Sequence, residues 1–265
     1  MNHFYLTLPS NSSMQIYPKN TLSSFTTKLP EDINLTGEWE VGLKELQFPQ
    51  TWYNINDMDG EFIIDLNNVT DQSLISESSS ELGSSLEVHC LLYPGYYSSC
   101  EQLATMFNSI TNMSIPGRLH GSIHVTYEEV TGKFIMVLKY GVSIVLSKSL
   151  AHMFGFRRVL RHSQRSRKPS DIRRGIYSLY IYCNICREII VGDSKVDLLR
   201  IVPIQGEHGD YICKTYDSPT YTPLQRKNFN DIKIDIRDDV GEKIPFQSGK
   251  VIVTLHLRKR GLLFN

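Results

Sequence analysis

The chain has 265 residues, 41% of them hydrophobic and 21% charged, with 28 Lys+Arg balanced by 28 Asp+Glu. That composition excludes a wholly disordered chain and speaks against a globally basic nucleic-acid binder. Five scattered cysteines are too few for a disulfide framework, and no stretch approaches the roughly 20 apolar residues of a membrane helix. The start, Met1-Asn2-His3-Phe4-Tyr5, has no basic region leading into an apolar run. The expectation is a protein that is not secreted, with the sequons at Asn11, Asn34, Asn68 and Asn112 unmodified.

Residues 1–37 read as an extended N-terminal arm, punctuated by Pro9, Pro18 and Pro30 and apolar enough to need a surface, its own domain's or a neighbour's. The first clear strand runs from Glu38 to Phe48. Trp39, Val41 and Leu43 alternate with polar residues, and the phase then flips to Leu46 and Phe48, which predicts a β-bulge near Lys44-Glu45. Glu61–Leu66 is a second strand, 67–84 a Ser/Asn/Glu-rich loop, and Ser85–Tyr93 a third strand stopped by Pro94-Gly95. Ser98 or Ser99 caps a short helix with Leu103, Met106, Phe107 and Ile110 at helical spacing. Short strands fill 122–147, with turns at Val130-Thr131-Gly132 and Tyr140-Gly141. Ser147–Phe154 is a second helix with Gly155 as its C-cap.

Residues 157–174 form a basic loop. Strands resume at Ile176–Ile190, Leu198–Ile204 and Tyr211–Lys214. The closing pair, Asp231–Arg237 and Val251–Arg258, alternates strictly and reads as a hairpin turned by Asp238-Asp239-Val240-Gly241. About ten strands, two helices and no βαβ rhythm give an all-β sandwich of two antiparallel sheets. The domain spans 38–265, with a small α/β insertion at about 94–160.

Few residues stand in a pattern that carries chemistry. Cys183-Asn-Ile-Cys186 resembles half a zinc site or a redox pair, but a strand through it would aim the two thiols to opposite faces. His120 and His124 lack the helix and the Glu of a zincin. No nucleophile elbow, P-loop or dinucleotide fingerprint appears. The expectation is therefore no catalytic residues, no cofactor and no metal. The one electrostatic feature above background is the basic loop: Arg157, Arg158, Arg161, Arg165, Arg167, Lys168, Arg173 and Arg174, opposed only by Asp171. It offers a contact for nucleic acid or an acidic partner.

A resemblance enters on particular stretches. Tyr17-Pro18-Lys19-Asn20-Thr21, Phe25-Thr26-Thr27-Lys28-Leu29-Pro30, Leu35-Thr36-Gly37-Glu38-Trp39-Glu40-Val41 and Pro49-Gln50-Thr51-Trp52-Tyr53-Asn54 form the most specific block. Pro94-Gly95-Tyr96-Tyr97, Phe154-Gly155-Phe156, Val191-Gly192-Asp193 and Leu255-His256-Leu257-Arg258 extend it along nearly the whole chain. In these the sequence resembles the minor capsid (penton) proteins of Maverick/Polinton, adintovirus-like, elements. The resemblance implies a single jelly roll and a non-enzymatic homopentamer at the vertices of an icosahedral virion. It also implies a double-jelly-roll major capsid protein as partner, with packaged DNA a further candidate through the basic loop. A jelly-roll carbohydrate-binding or receptor-attachment module is the alternative; it needs exposed Trp or Tyr on one sheet face, or acidic loops that bind calcium.

Overall fold

The computed structural model describes residues 2–75 and 86–261. They divide into two units, one made of the residues through Trp52 together with those from Gly175 onward, the other of Tyr53–Arg174. In chain order the first unit opens with β1 (His3–Pro9), β2 (Ser24–Asn34) and β3 (Trp39–Pro49). The second holds β4 (Glu61–Asp65), β5 (Glu87–Leu91), α1 (Cys100–Ser114), β6 (Ile123–Glu128), β7 (Lys133–Leu138), β8 (Ser143–Leu146), α2 (Lys148–Phe154), β9 (Val159–Leu160) and β10 (Gln164–Arg165). The first then resumes with β11 (Ser178–Cys183), β12 (Ile189–Val191), β13 (Ser194–Val196), β14 (Leu198–Pro203), β15 (Tyr211–Thr215), β16 (Tyr221–Pro223), β17 (Asn228–Arg237) and β18 (Ile252–Lys259).

The first unit is a sandwich. One sheet has the order β1-β18-β3-β15, with β16 also on β3; the other has the order β14-β11-β17-β2, and every pair is antiparallel. The chain passes from sheet to sheet at β1 to β2, β2 to β3, β3 to β11, β14 to β15, β16 to β17 and β17 to β18. This interleaving is a jelly roll, with the second unit inserted in the β3–β11 crossover. Alternation dictates the core: Val41, Leu43, Leu46 and Phe48 of β3 and Val253, Leu255 and Leu257 of β18 meet Phe25, Leu179, Ile181, Ile232, Ile234 and Ile236 of the other sheet. Burying each such side chain contributes roughly 1.5–3 kcal/mol.

The bulge lies where the phase flip places it. Thr254 faces Glu45 and Leu255 faces Leu43, so Lys44 is the extra residue. Its ammonium donates to the Tyr216 carbonyl at 3.0 Å.

Three expectations need correction. The expected arm is not a separate element, because Phe4, Leu6 and Leu8 alternate with exposed His3, Tyr5 and Thr7 and β1 zips along β18, while β2 pairs with β17. Asn20 braces the start of β2 by exchanging hydrogen bonds with the Thr26 backbone, both at 2.9 Å. The closing hairpin is not a hairpin: β17 and β18 lie in opposite sheets, and their apolar faces meet across the core instead of their edges meeting in a ladder. The insertion is wider than 94–160, because β4 and β5 pair with each other and β4 also pairs with β8, so they build the inserted unit's own sheet.

The inserted unit combines a sheet β5-β4-β8-β9 and a sheet β10-β7-β6 with the two helices. Its core gathers Phe62, Phe107, Phe134 and Phe154 with Leu103, Ile144 and Leu150. Ser99 and Ser147 are the N-caps, each hydroxyl accepting from a backbone N–H at 3.1 Å, and Gly155 ends α2 at φ +74°. Of the expected loop at 67–84, residues 67–75 hold a single 3-10 turn at Gln72–Leu74. Residues 76–84, and Ser85 of the expected third strand, lie outside the described residues.

Candidate functional site

The basic stretch is more ordered than a loop. Val159 and Leu160 pair with β8, and Gln164 and Arg165 pair with β7, which fixes where each cation stands. Arg165 forms an ion pair with Glu128 at 2.8 Å, and Arg174 pairs with Asp59. Asp65, which burial alone would raise, is held below its usual range by hydrogen bonds from Asn67 and Ser143 and by the nearby Arg161 charge. Arg167, Lys168 and Arg173 are exposed. The backbone N–H groups of Arg167 and Lys168 both donate to the Gly155 carbonyl, at 2.9 and 3.3 Å.

Only part of the predicted set converges. Arg157, Arg158 and Arg174 line one cleft of about 610 Å³, together with Lys148 and His152 of α2, Phe156, Ala151 and Ser149. Sequence reading left out Lys148 and His152. Their i, i+4 spacing on a helix capped at Gly155, directly before Arg157-Arg158, was the available signal.

The cysteine pair is also corrected. β11 stops at Cys183, and the Cys186 N–H donates to the Cys183 carbonyl at 2.9 Å, so a turn and not a strand spans the motif. Both side chains enter the same core, each fully buried. The hydrogen bond with the Cys183 thiol, followed by burial, pushes the Cys186 thiol well above its ordinary value, the opposite of an activated nucleophile. All five cysteines are free thiols, and among the described residues no group of three His, Cys, Asp or Glu side chains could hold a metal ion. His124 sits on the exposed face of β6, and His120 follows the 3-10 turn Gly117–Leu119. Trp39 and Trp52 are buried at 6% and 5% exposure, which removes both from any role as a sugar-stacking platform.

On the outer face of the first sheet, six side chains form a cluster that sequence reading missed. Tyr5 stacks on His256 at 4.5 Å, His3 Nδ1 stands 3.3 Å from His256 Nε2, and the Tyr221 hydroxyl shares a hydrogen bond with His256 Nδ1 at 2.8 Å. Arg258 covers the Tyr221 ring at 3.5 Å while pairing with Glu40. Burial, then the charges of His3, Arg258 and Lys44, lower the His256 pKa. A histidine depressed in the folded state prefers the unfolded state once protonated. Stability is therefore lost as pH falls below the unfolded-state value of about 6.5. Melting temperature followed from about pH 7.5 to about pH 5 is expected to fall, and His256→Gln is expected to flatten the curve. An equal slope in the variant would remove His256 as the cause.

No family model and no curated protein sequence matches the chain. Among solved structures, the crystal structure of the mavirus penton protein matches with a TM-score of 0.50 at 11% identity, covering 98% of this chain and 100% of that one. At such identity the likeness concerns architecture. The chain shares the fold of a viral penton protein.

Proposed function

We propose that the chain is a structural, non-enzymatic capsid protein: a penton subunit of the Maverick/Polinton kind that associates with four copies of itself at the vertices of an icosahedral virion, among copies of a separate major capsid protein. The observation that carries this reading is the interleaved order β1-β18-β3-β15 over β14-β11-β17-β2, within a likeness to the mavirus penton protein that runs along 98% of the chain. The N-terminal block that resembles such proteins in sequence supports it from a second direction. Phe25 and Leu29 of that block fill the sandwich core, and Asn20 pins β2.

Five copies around an axis make heterologous interfaces that close. Long-lived contacts of this kind bury on the order of 2,000 Å² or more each. The test is the mass of the purified chain by light scattering, followed by negative-stain imaging. Five-membered rings are the expected result, alone or once major capsid protein is added. A strictly monomeric species under both conditions would end this reading.

A further inference from the structure

We infer that the cleft lined by Lys148, His152, Arg157, Arg158 and Arg174 binds a carboxylate-rich peptide segment of a partner protein. Three separate stretches of the inserted unit supply these side chains: Lys148 and His152 on one face of α2, Arg157 and Arg158 just beyond Gly155, and Arg174. They surround about 610 Å³ of open space. The acids nearby are Asp59, already engaged, Asp171, whose backbone N–H donates to the Met153 carbonyl of α2, and Glu61, which lines an adjoining groove with Lys148 and Arg158. Among the described residues, Lys148, Arg157 and Arg158 have no carboxylate partner, and Arg158 makes one long contact, Nε to the Leu146 carbonyl at 3.4 Å.

The rim of the cleft already shows how it holds a carboxylate. The Arg174 guanidinium donates to one Asp59 oxygen while the Ser149 hydroxyl donates to the other. Charge-assisted pairs of this geometry are the stronger class of hydrogen bond, and a guanidinium fork matches a carboxylate better than an ammonium does. Arg157 and Arg158 place two more forks beside it with no acid to fill them.

Peptide is favoured over nucleic acid for two reasons. The basic side chains share the cleft with buried Ala151 and half-buried Phe156, apolar surface that a phosphate backbone does not use. Single strands also need successive aromatic platforms, and the cleft holds one large aromatic ring, Phe156, beside the His152 imidazole. A polypeptide with acids beside small apolar residues satisfies both kinds of side chain.

The test titrates the full chain into fluorescein-labelled decaglutamate and, separately, into a labelled short DNA duplex at low salt. The expected result is that decaglutamate binds more tightly than duplex. Arg157→Glu with Arg158→Glu is expected to weaken it by about tenfold or more, as a charge reversal at a paired contact does. Arg167→Glu with Lys168→Glu, the same charge change outside the cleft, is expected to weaken it less than about threefold, the size of a screened long-range effect. Arg157→Gln with Arg158→Gln gives a milder pair, and circular dichroism checks the fold of every variant. Duplex binding at least as tight as peptide, an equal loss in both charge-reversed variants, or no peptide binding at all would each overturn the proposal.

Discussion

Replacing Phe107 by alanine is expected to destabilise the inserted unit by roughly 3–5 kcal/mol, the range for a buried aromatic truncated in a close-packed core. Phe107 is fully buried on α1, one turn from Leu103 and Ile110. Its ring stacks on Phe62 of β4 at 4.6 Å and meets Phe154 of α2 edge-on at 5.4 Å, and Phe154 in turn meets Phe134 of β7 at 4.7 Å. Phe107 thus ties the first helix directly to the second and to the β4 sheet, and through Phe154 to the β7 sheet, so its removal leaves a cavity among several elements. Hydrogen exchange read unit by unit checks the outcome, with Phe107→Leu as the milder comparison. A loss under about 1 kcal/mol would mean that the four-ring cluster is not the centre of this core.

Gly155→Ala is expected to cost roughly 2–5 kcal/mol. About 1–2 kcal/mol comes from holding an L side chain at left-handed φ. About 1–3 kcal/mol comes from overpacking, because a Cβ there would press into the Lys168 carbonyl oxygen and lie 3.2 Å from the Pro169 oxygen. The same glycine closes α2 by donating to the Ala151 and His152 carbonyls. Its own carbonyl takes both the Arg167 and Lys168 N–H groups. Thermal unfolding of the variant measures the loss. A second expected sign is increased amide exchange at Arg167 and Lys168, because the segment they belong to is held against this turn. Unchanged melting would show that the backbone yields locally at little cost.

These two positions also show what the amino-acid order makes legible. A Ser–x–x spacing before an apolar face and a glycine after it announce α2 and its cap without any tertiary knowledge. Likewise, the slip of phase between Leu43 and Leu46 announces the bulge at Lys44. Alternation tells which side of a strand is buried but not which strand lies beside it. Ile232, Ile234 and Ile236 would read the same in a hairpin with Val253, Leu255 and Leu257 as they do across a sandwich from them. The same ambiguity assigned β4 and β5 to the sandwich and cut the insertion short. At Cys183–Cys186 the error was local, since a strand extrapolated three residues too far turned two neighbouring thiols into opposed ones. The cationic cleft was half legible: Arg157, Arg158 and Arg174 stand out by composition. Lys148 and His152 join them only because α2 folds its polar face toward the same space.

The position of β18 has a consequence for how the chain is made. It lies between β1 and β3, with Phe4 opposite Leu257 on one side and Val41 opposite Leu257 on the other. Two strands made first thus wait for one made after every other strand of the sandwich, and the loop that must close between His3 and Arg258 encloses the whole inserted unit. A contiguous unit such as 53–174 can form its own core while the ribosome is still adding residues, but the sandwich must wait for β18. Until β18 slots in, the facing edges of β1 and β3 have no ladder partner, and the core they share with the other sheet stays incomplete.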